Sequence, residues 1–433
     1  MKNIFALVID RFDRTTGIKT FYEDLLLFCE NREIPVLLIT DSSNININSK
    51  YVTHKYVKEI DSCWKHDKLE SVRPRPFLAF NNNELSIEDQ IKLGKVVSDL
   101  SIKHKIKYDK FVKLDAFQDY SFFASLSNII GSWINELEIN KVYIATQSFL
   151  GFSAIQLKDS SNKKYIIHFH TDYPEFYFQR ITKNLRCNPP SYYNVLKKSM
   201  YTRIASHFIC PGSSIIFPSK YFFNKMKPYI KNTKYSSFIL NSGVSIVKQE
   251  MSKTCSMQSK GPREIILLYV GRLEHDKNIE LLVKIDTSII SKRLNVVWWI
   301  VGEGSLLDYL RRNLHNARFL GKMERGDLSR IYKGADYLIF PSIYDTCGKT
   351  VLEAMASRLP VVLTNKGGPA SFLINGKHAF LCKPIPNDFI DAILFYESNP
   401  QQKKAMIENA HLAVKKYDSD KINKKLVDII MGL

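Results

Sequence analysis

The chain has 433 residues, of which 45% are hydrophobic, 12% aromatic and 24% charged. Such a composition is typical of folded globular proteins and excludes a disordered or fibrous chain, while the length favours two domains, or three, over a single core. The net charge of +19 favours anionic partners such as phosphate-bearing substrates, acidic membrane surfaces or nucleic acid, although lysine and asparagine richness can also follow from genome composition.

The amino terminus, MKNIFALVIDRFD, predicts a buried first strand and lacks the small-residue cleavage site of a signal peptide. No apolar run approaches the roughly 18 residues that a membrane span needs. The seven cysteines are scattered without a C-x-x-C pair, so we expect neither a disulfide framework nor a zinc site. These features favour a reducing, cytoplasmic compartment.

Short apolar strands alternate with helical stretches through almost the whole chain, and residues 41–110 are the least regular part. In the first half the predicted strands are 4–10, 35–40, 111–117, 142–147, 165–170 and 207–212. In the second half they are 265–271, 296–302, 317–321, 336–342, 360–365 and 379–384.

Most of these strands are apolar on both faces, which predicts parallel sheets covered by helices. The polar stretch VKQEMSKTCSMQSKGPRE separates two such sets of strands. We therefore expect an α/β protein with two doubly wound, Rossmann-like domains. The predicted limits are residues 1–248, a linker at 249–262, a second domain at 263–410, and a carboxy-terminal helix at 411–433 that returns to the first domain.

Open parallel sheets bind ligands outside the carboxyl ends of their strands, so the loops that follow strands are the candidate sites. Arg272 and Lys277 lie between a predicted strand and a helix, where a guanidinium and an ammonium can hold a diphosphate. The plainer interpretation is a solvated basic loop. Gly302-Glu303-Gly304 follows the next strand and by itself indicates only a tight turn.

The stretch DYLIFPSIYDTCGKTVLEAMA places Asp345 and Gly348 after a strand and at the start of a helix that carries Glu353. The amides of the first helical turn could hold phosphate. Two plainer interpretations stay open. Asp345 could be a helix-capping residue worth about 1 kcal/mol, and Glu353 could form a surface pair with Lys349 worth about 0.3 kcal/mol.

Taken in order, these stretches resemble the retaining glycosyltransferases of family 4, which have the GT-B fold of two Rossmann-like domains facing a central cleft. The segment YIIHFHTDYP resembles a His-Thr-Asp segment of members that glycosylate lipid acceptors, and NSGV at 241–244 resembles the loop that closes the first domain. In the second half the matching stretches are YVGRLEHDKNIELL, VGEGSLLDYL, ARFLGKMERGDLSRIYKGADYLIFPS, DTCGKTVLEAMASRLPVV and the glycine pair at 367.

The resemblance implies roles for five side chains. Arg272 and Lys277 match the pair that binds the diphosphate, and Glu353 matches the residue that accepts hydrogen bonds from the nucleotide ribose. Asp345 would lie at the donor sugar, where the family usually has a glutamate, and His170 would orient the sugar. The implied catalytic set is therefore His170, Arg272, Lys277 and Asp345.

The same resemblance implies further donor-binding positions. Backbone amides would contact the sugar and the β-phosphate, and a backbone segment that follows a strand would line the pocket for the base. Two departures leave the donor preference open: Ser371 stands where an acidic residue often follows the glycine pair, and only one glycine, Gly17, stands in the amino-terminal loop. The implied positions are Gly17, Gly271, Gly302, Lys322, Met323, Gly348, Lys349 and Thr350, besides the charged residues already named.

The implied activity is transfer of a sugar, with retention, from a UDP- or GDP-sugar to a hydroxyl group. The second domain would bind the nucleotide sugar and the first the acceptor, and the family needs neither a metal nor a cofactor. Three alternatives stay open: a transferase acting on modified bases of nucleic acid, an epimerase or phosphorylase of the same fold, and a non-catalytic protein that binds sugar nucleotides.

The acceptor expectation comes from composition. Between residues 176 and 249 there is no Asp or Glu, whereas lysines, arginines and aromatic residues are interleaved. Such a stretch suits an anionic membrane interface or an anionic polymer, although a solvated basic face is the plainer interpretation. We expect Lys220, Lys225 and Lys227 to face a lipid-linked or anionic cell-envelope acceptor, with the protein peripheral on the inner face of the membrane and DNA as the rival partner.

Overall fold

The computed structural model describes residues 5–9, 17–40, 45, 49–57, 120–147, 149–157, 162–176, 192–230, 234–246 and 264–432. The chain divides into two compact units. Unit 1 comprises Met1–Phe217, Phe223–Ile239 and Lys425–Leu433, and unit 2 comprises Pro218–Phe222 and Leu240–Lys424. The predicted linker at 249–262 lies outside the described residues.

Unit 1 is built on a parallel sheet whose described strands follow the order β3-β2-β1-β4-β5-β6-β7. The strands β1 and β2 are buried along their whole length, and β4, β5 and β6 are buried after their first residue, as expected for a sheet with helices on both faces. The two edge strands, β3 and β7, contain no buried residue. The strands are β1 (Phe5–Val8), β2 (Val36–Thr40), β3 (Val52–Tyr56), β4 (Lys141–Ile144), β5 (Lys164–His168), β6 (Ser214–Phe217) and β7 (Ser236–Ile239).

The helices of the first half carry apolar residues three and four apart that pack onto this sheet. In the first helix, Phe21, Tyr22, Leu25 and Leu26 are buried and share one face. The helices are α1 (Gly17–Glu30), α2 (Tyr120–Glu136), α3 (Phe149–Ile155), α4 (Tyr192–Phe208) and α5 (Lys220–Met226).

The predicted strands in the first half are partly correct. Those at 4–10, 35–40, 142–147 and 165–170 correspond to β1, β2, β4 and β5, whereas 111–117 lies outside the described residues. The strand predicted at 207–212 is wrong, because this apolar run is the buried end of α4 and a turn in which Gly212 has a φ of 76°. The strand that follows, β6, begins two residues later.

Unit 2 is built on a second parallel sheet, with its strands in the order β10-β9-β8-β11-β12-β13. All six strands predicted for the second half are confirmed. The chain order reverses between β8 and β11, which are hydrogen-bonded neighbours. The strands are β8 (Ile265–Val270), β9 (Val296–Val301), β10 (Ala317–Gly321), β11 (Tyr337–Phe340), β12 (Val361–Thr364) and β13 (Phe380–Cys382).

The core of unit 2 is centred on fully buried side chains of the sheet, such as Leu267, Trp298 and Tyr337, against helices that cover both faces. The helices of the second half are α6 (Glu280–Ser291), α7 (Leu307–Asn313), α8 (Arg325–Gly334), α9 (Lys349–Ala356), α10 (Gly367–Ala370), α11 (Pro386–Ser398), α12 (Pro400–Val414) and α13 (Ser419–Met431), and the residues of α13 from Lys425 onward belong to unit 1.

The segment 240–246 is part of unit 2. Val244 forms a parallel bridge with Asp418, just before α13. A Cβ on Gly243 would lie 2.8 Å from the Cα of Ser419, so the two segments are in close contact. The amide of Ser242 also donates to Sγ of Cys347, at 3.1 Å.

Candidate functional site

Hydrogen bonds hold the loop after β8 at both ends. The Tyr269 hydroxyl donates to the carbonyl oxygen of Arg272 at 2.8 Å, and the amide group of Asn278 donates to the carbonyl oxygen of Pro341 at 3.0 Å. The Arg272 guanidinium, about half exposed, lies 2.6 Å from the Asp276 carboxylate. Both predicted basic residues therefore follow β8 at its carboxyl end, in a loop that these hydrogen bonds hold.

The loop after β11 is organised by one carboxylate. One oxygen of Asp345, Oδ1, accepts hydrogen bonds from the amides of Cys347 and Gly348 at 3.1 and 2.6 Å. The other, Oδ2, accepts from the ammonium of Lys277 at 2.7 Å. Burial by itself would raise the pKa of this carboxyl, but the Lys277 charge and the two amides outweigh burial and hold the pKa below its usual value.

The ion pair between Lys277 and Asp345 joins the loops that follow β8 and β11. These strands are neighbours at the point where the strand order reverses, which is where open α/β sheets bind their ligands. Both side chains are mostly shielded, at 22% and 18% exposure. An ammonium has three N–H donors, so the pair leaves Lys277 the capacity to bind a further anionic oxygen.

Glu353 lies further along the same segment, in α9. The residue is only 9% exposed, which argues against the surface-pair interpretation. Its Oε2 accepts a hydrogen bond from the Tyr332 hydroxyl at 2.9 Å. Burial, together with the neighbouring carboxylate, raises the pKa of Tyr332 well above its usual value, so the phenol keeps its proton and remains the donor.

Glycines let the loops at this edge approach one another. A Cβ on Gly302, whose φ is 134°, would lie 1.9 Å from the carbonyl oxygen of Gly271. A Cβ on Gly368 would lie 2.0 Å from the carbonyl oxygen of Thr346. These glycines serve contacts between loops, which a larger residue would prevent.

Some predicted donor positions have other uses in the structure. The amide of Gly348 was expected to face the phosphate, but it donates to Asp345 instead. Asp345 therefore closes the turn before α9 and does not cap the helix itself, whose N-cap is Gly348. Lys349 and Thr350 occupy the first turn of α9, where the amides have no acceptor within the helix.

Three other predicted positions lie at the ends of elements. Lys322 and Met323 directly follow β10, with Lys322 exposed. Gly17 is the first residue of α1, and the loop before it lies outside the described residues.

His170 belongs to unit 1, just after β5. Its Nε2 is hydrogen-bonded to the hydroxyl of Tyr22, from α1. Its ring centroid lies 3.9 Å from that of His168, and the ring of Phe21 packs edge-on against both imidazoles. The structure thus places His170 in an aromatic cluster that the sequence pattern did not indicate.

Lys225 requires a correction. Its ammonium lies 2.6 Å from Asp172 and 2.8 Å from Glu175, two carboxylates whose side chains are each 3% exposed. The ammonium is bound by two buried carboxylates and the side chain is only 21% exposed, which argues against the predicted surface role of Lys225. Lys220 and Lys227 are exposed, as a surface role requires.

The sequence interpretation missed the partners of the predicted residues. Asp276 lies four residues after Arg272, and that spacing could have indicated a pair. Tyr332 is separated from Glu353 by 21 positions and gave no signal. Only the fold brings such residues together.

Within the described parts of the chain, no group of three or more His, Cys, Asp or Glu residues has the arrangement of a metal site. No described helix is long and apolar enough to cross a membrane.

The second half of the chain is similar in sequence to known proteins. A sequence model of the family described as "Glycosyl transferases group 1" matches residues 256–413. An uncharacterised glycosyltransferase of Methanocaldococcus jannaschii is 32% identical over 177 residues, which cover 38% of this chain and 44% of that protein. The alpha-monoglucosyldiacylglycerol synthase of Streptococcus pneumoniae is 23% identical over 52% of each chain. The chain thus aligns with about half, or less, of the length of these relatives.

Solved structures show the same fold over the full length. Sucrose-phosphate synthase from Thermosynechococcus elongatus matches with a TM-score of 0.68 and 15% identity, covering 100% of this chain and 99% of the other. HepE of Anabaena, solved with UDP and glucose, matches with a TM-score of 0.61 and 13% identity over 100% of both chains. The protein therefore has two parallel-sheet α/β domains like those of the GT-B glycosyltransferases, and residues 256–413 match the glycosyl transferases group 1 family.

Proposed function

We propose that the protein transfers a sugar from a nucleoside diphosphate sugar to a hydroxyl group of a lipid-linked or anionic cell-envelope acceptor. The observation that carries the proposal is the ion pair between Lys277 and Asp345 at the strand-order reversal of unit 2, 2.7 Å long. It lies within the matched domain and sets a cation beside the loop that leads into α9. The structural relative solved with UDP and glucose supports a nucleotide-sugar donor.

The charges of the site suit the departure of a diphosphate. The leaving group gains negative charge as the sugar bond breaks, and preorganised cations and amides stabilise that charge. Arg272, Lys277 and the first turn of α9 supply them, whereas Glu353 is proposed to bind the ribose. These groups need no metal ion, and we propose metal-independent transfer with retention, in which Asp345 contacts the sugar.

The donor is tested by a thermal-shift screen of UDP, GDP, ADP and their sugar conjugates, because a ligand of the folded state raises its stability by mass action. We expect one nucleotide to stabilise the wild type and to lose most of its effect in Lys277→Met. Transfer should continue in excess EDTA, and the anomeric configuration of the product, read by NMR, should equal that of the donor. Stabilisation by no nucleotide at all would overturn the proposal.

The acceptor proposal rests on the exposed Lys220 and Lys227 and on the similarity to a diacylglycerol glycosyltransferase. Lysines near an anionic membrane contribute roughly 1 kcal/mol each. Changing both to Glu should reduce co-sedimentation with phosphatidylglycerol vesicles strongly. A matched variant, with exposed Lys377 and Lys383 changed to Glu, carries the same charge change and should bind nearly as wild type. If both variants lose vesicle binding equally, the cause is the change in net charge, and the proposal that Lys220 and Lys227 form the membrane-binding surface is contradicted.

A further inference from the structure

Glu353 is a buried residue whose carboxylate has few partners. Among the described residues, the only hydrogen bond to this carboxylate comes from the Tyr332 hydroxyl, 2.9 Å from Oε2. A carboxylate has two oxygens and about four lone-pair sites for hydrogen bonds. Burying a charged group without enough hydrogen bonds costs free energy. The described part of the chain therefore leaves Glu353 with unused capacity to accept hydrogen bonds.

Two other shielded carboxylates of unit 2 are held more fully. Asp345 accepts three hydrogen bonds, from two amides and one ammonium. Asp286 also has three, at 2.9 Å to the indole of Trp298 and at 3.1 and 2.9 Å to the amide and Nδ1 of His315. Glu353 has one donor where each of these has three, and this difference indicates that a ligand supplies the others.

Tyr332 is well suited to hold the end of the Glu353 side chain. It lies in α8 and is 1% exposed, so the surrounding core fixes its ring. A tyrosine has only two side-chain torsions, whereas a glutamate has three and loses much rotamer freedom when it is held in one place. The hydrogen bond thus connects a flexible side chain of α9 to a rigid side chain of α8, and it engages Oε2 and not Oε1.

Glu353 is also close to the proposed diphosphate site. The helix α9 begins at Lys349, directly after Gly348, whose amide binds Asp345. Glu353 lies four residues further on, which is about one helical turn or 6 Å along the axis. In a nucleoside diphosphate the ribose is joined directly to a phosphate. A ligand with its phosphates at the start of α9 therefore brings its ribose near Glu353.

We propose that Tyr332 is a positioning residue of the donor site, which holds Oε2 of Glu353 so that Oε1 accepts a hydrogen bond from a ribose hydroxyl. This inference rests on the proposed function, in which Glu353 binds the ribose of a nucleoside diphosphate sugar. It extends that function by assigning the selectivity for ribose to a pair of residues, one of which does not touch the ligand. The two hydroxyls of the ribose supply donors that the carboxylate lacks in the described chain.

The test compares ligands with and without these hydroxyls. Isothermal calorimetry of the full chain would use UDP, GDP, ADP and their dideoxyribose counterparts, which lack both ribose hydroxyls. We expect the wild type to bind the ribose form of one nucleotide about 10- to 100-fold more tightly than its dideoxyribose form, as for a hydrogen bond to a charged group. Tyr332→Phe should reduce this preference about 5- to 10-fold by weakening only the binding of the ribose form.

Tyr337→Phe is the matched control. It removes another fully buried phenol hydroxyl of unit 2, which donates to the Glu397 carboxylate at 2.6 Å, and should keep the preference for ribose. In a Glu353→Ala background, Tyr332→Phe should change the preference no further. With the nucleotide sugar as substrate, Tyr332→Phe should raise KM about 5- to 10-fold and change kcat less than about 2-fold, because the contact is equal in the ground state and the transition state.

A purely structural role for Tyr332 predicts equal weakening of the ribose and dideoxyribose forms, and that result would overturn the proposal. Crystal structures of the wild type and of Tyr332→Phe without ligand give a second measurement. We expect the Glu353 carboxylate to leave its position in the variant, and an unchanged position would contradict the proposal. If the carboxylate moves but the wild type binds none of the three nucleotides, Tyr332 still positions Glu353 and the proposed function fails.

Discussion

Lys277→Met removes the ammonium 2.7 Å from Asp345 and keeps the length of the side chain. Surface ion pairs contribute about 0–1 kcal/mol, and breaking a fully buried ion pair costs about 3–5 kcal/mol. The pair of Lys277 and Asp345 has an exposure between these two cases. The amides of Cys347 and Gly348 still bind the carboxylate. We expect the free energy of unfolding to fall by about 1–3 kcal/mol.

The effect on transfer should be larger than the effect on stability. A charge-assisted contact that strengthens as the leaving group departs contributes about 2–4 kcal/mol, so kcat/KM should fall about 30- to 1,000-fold. In the double variant Lys277→Met, Asp345→Asn no isolated carboxylate remains. We therefore expect it to recover stability but not activity.

Urea unfolding and initial rates with the nucleotide sugar found in the screen measure both quantities. Lys292→Met is the matched control, because it breaks an exposed pair with Asp391, 3.3 Å long with 40% and 66% exposure, and should change stability by less than about 0.5 kcal/mol. If Lys277→Met unfolds like this control and transfers sugar at the wild-type rate, the reasoning about the ion pair is refuted.

Three further changes test other features of unit 2. Although burial opposes it, the Lys277 charge and two amides lower the folded-state pKa of Asp345. The stabilisation that this carboxylate provides is therefore present above the unfolded-state pKa of about 3.9 and is lost as the pH falls through the folded-state value. Asp345→Asn should lose stability less steeply than wild type below about pH 4. Gly302→Ala should cost about 2–4 kcal/mol in urea unfolding, because the new Cβ meets a carbonyl oxygen at 1.9 Å. Gly326→Ala, with no atom within 4 Å of the new Cβ, should change stability by less than about 1 kcal/mol, and equal effects would contradict the close approach. Tyr332→Phe should cost about 1–3 kcal/mol in the same assay, because Glu353 loses a buried donor; a cost near zero would contradict that bond.

The second half of the fold could be predicted because most of its strands are continuous apolar runs bounded by turn residues. The first half was harder for three physical reasons. The edge strand β3 has the sequence VTHKY and no buried residue, so it lacks the apolar run that predicts a strand. The edge strand β7 has the sequence SSFI and is exposed in the same way. The run at 207–212 is apolar because a helix end is buried there, and a short apolar run does not distinguish a buried helix end from a strand.

The candidate site was partly predictable for a related reason. Loops after parallel strands meet at one edge, so Arg272, Lys277 and Asp345 could be placed near one another without coordinates. Their pairing could not, because Lys277 and Asp345 are 68 positions apart and the choice of partner depends on the exact loop shape. The acids that neutralise Lys225 are likewise 53 and 50 positions away.

The contact of residues 240–246 with the segment before α13 determines where unit 2 can be cut for expression as a fragment. Val244 exchanges backbone hydrogen bonds with Tyr417 and Ser419, at 2.9 and 3.0 Å. A fragment cut to the family match at 256–413 contains neither side of this ladder and also lacks the amide that binds Sγ of Cys347, beside Asp345. A fragment spanning 240–424, the longer of the two segments of unit 2, keeps all of these contacts and with them the packing of the loop of Asp345.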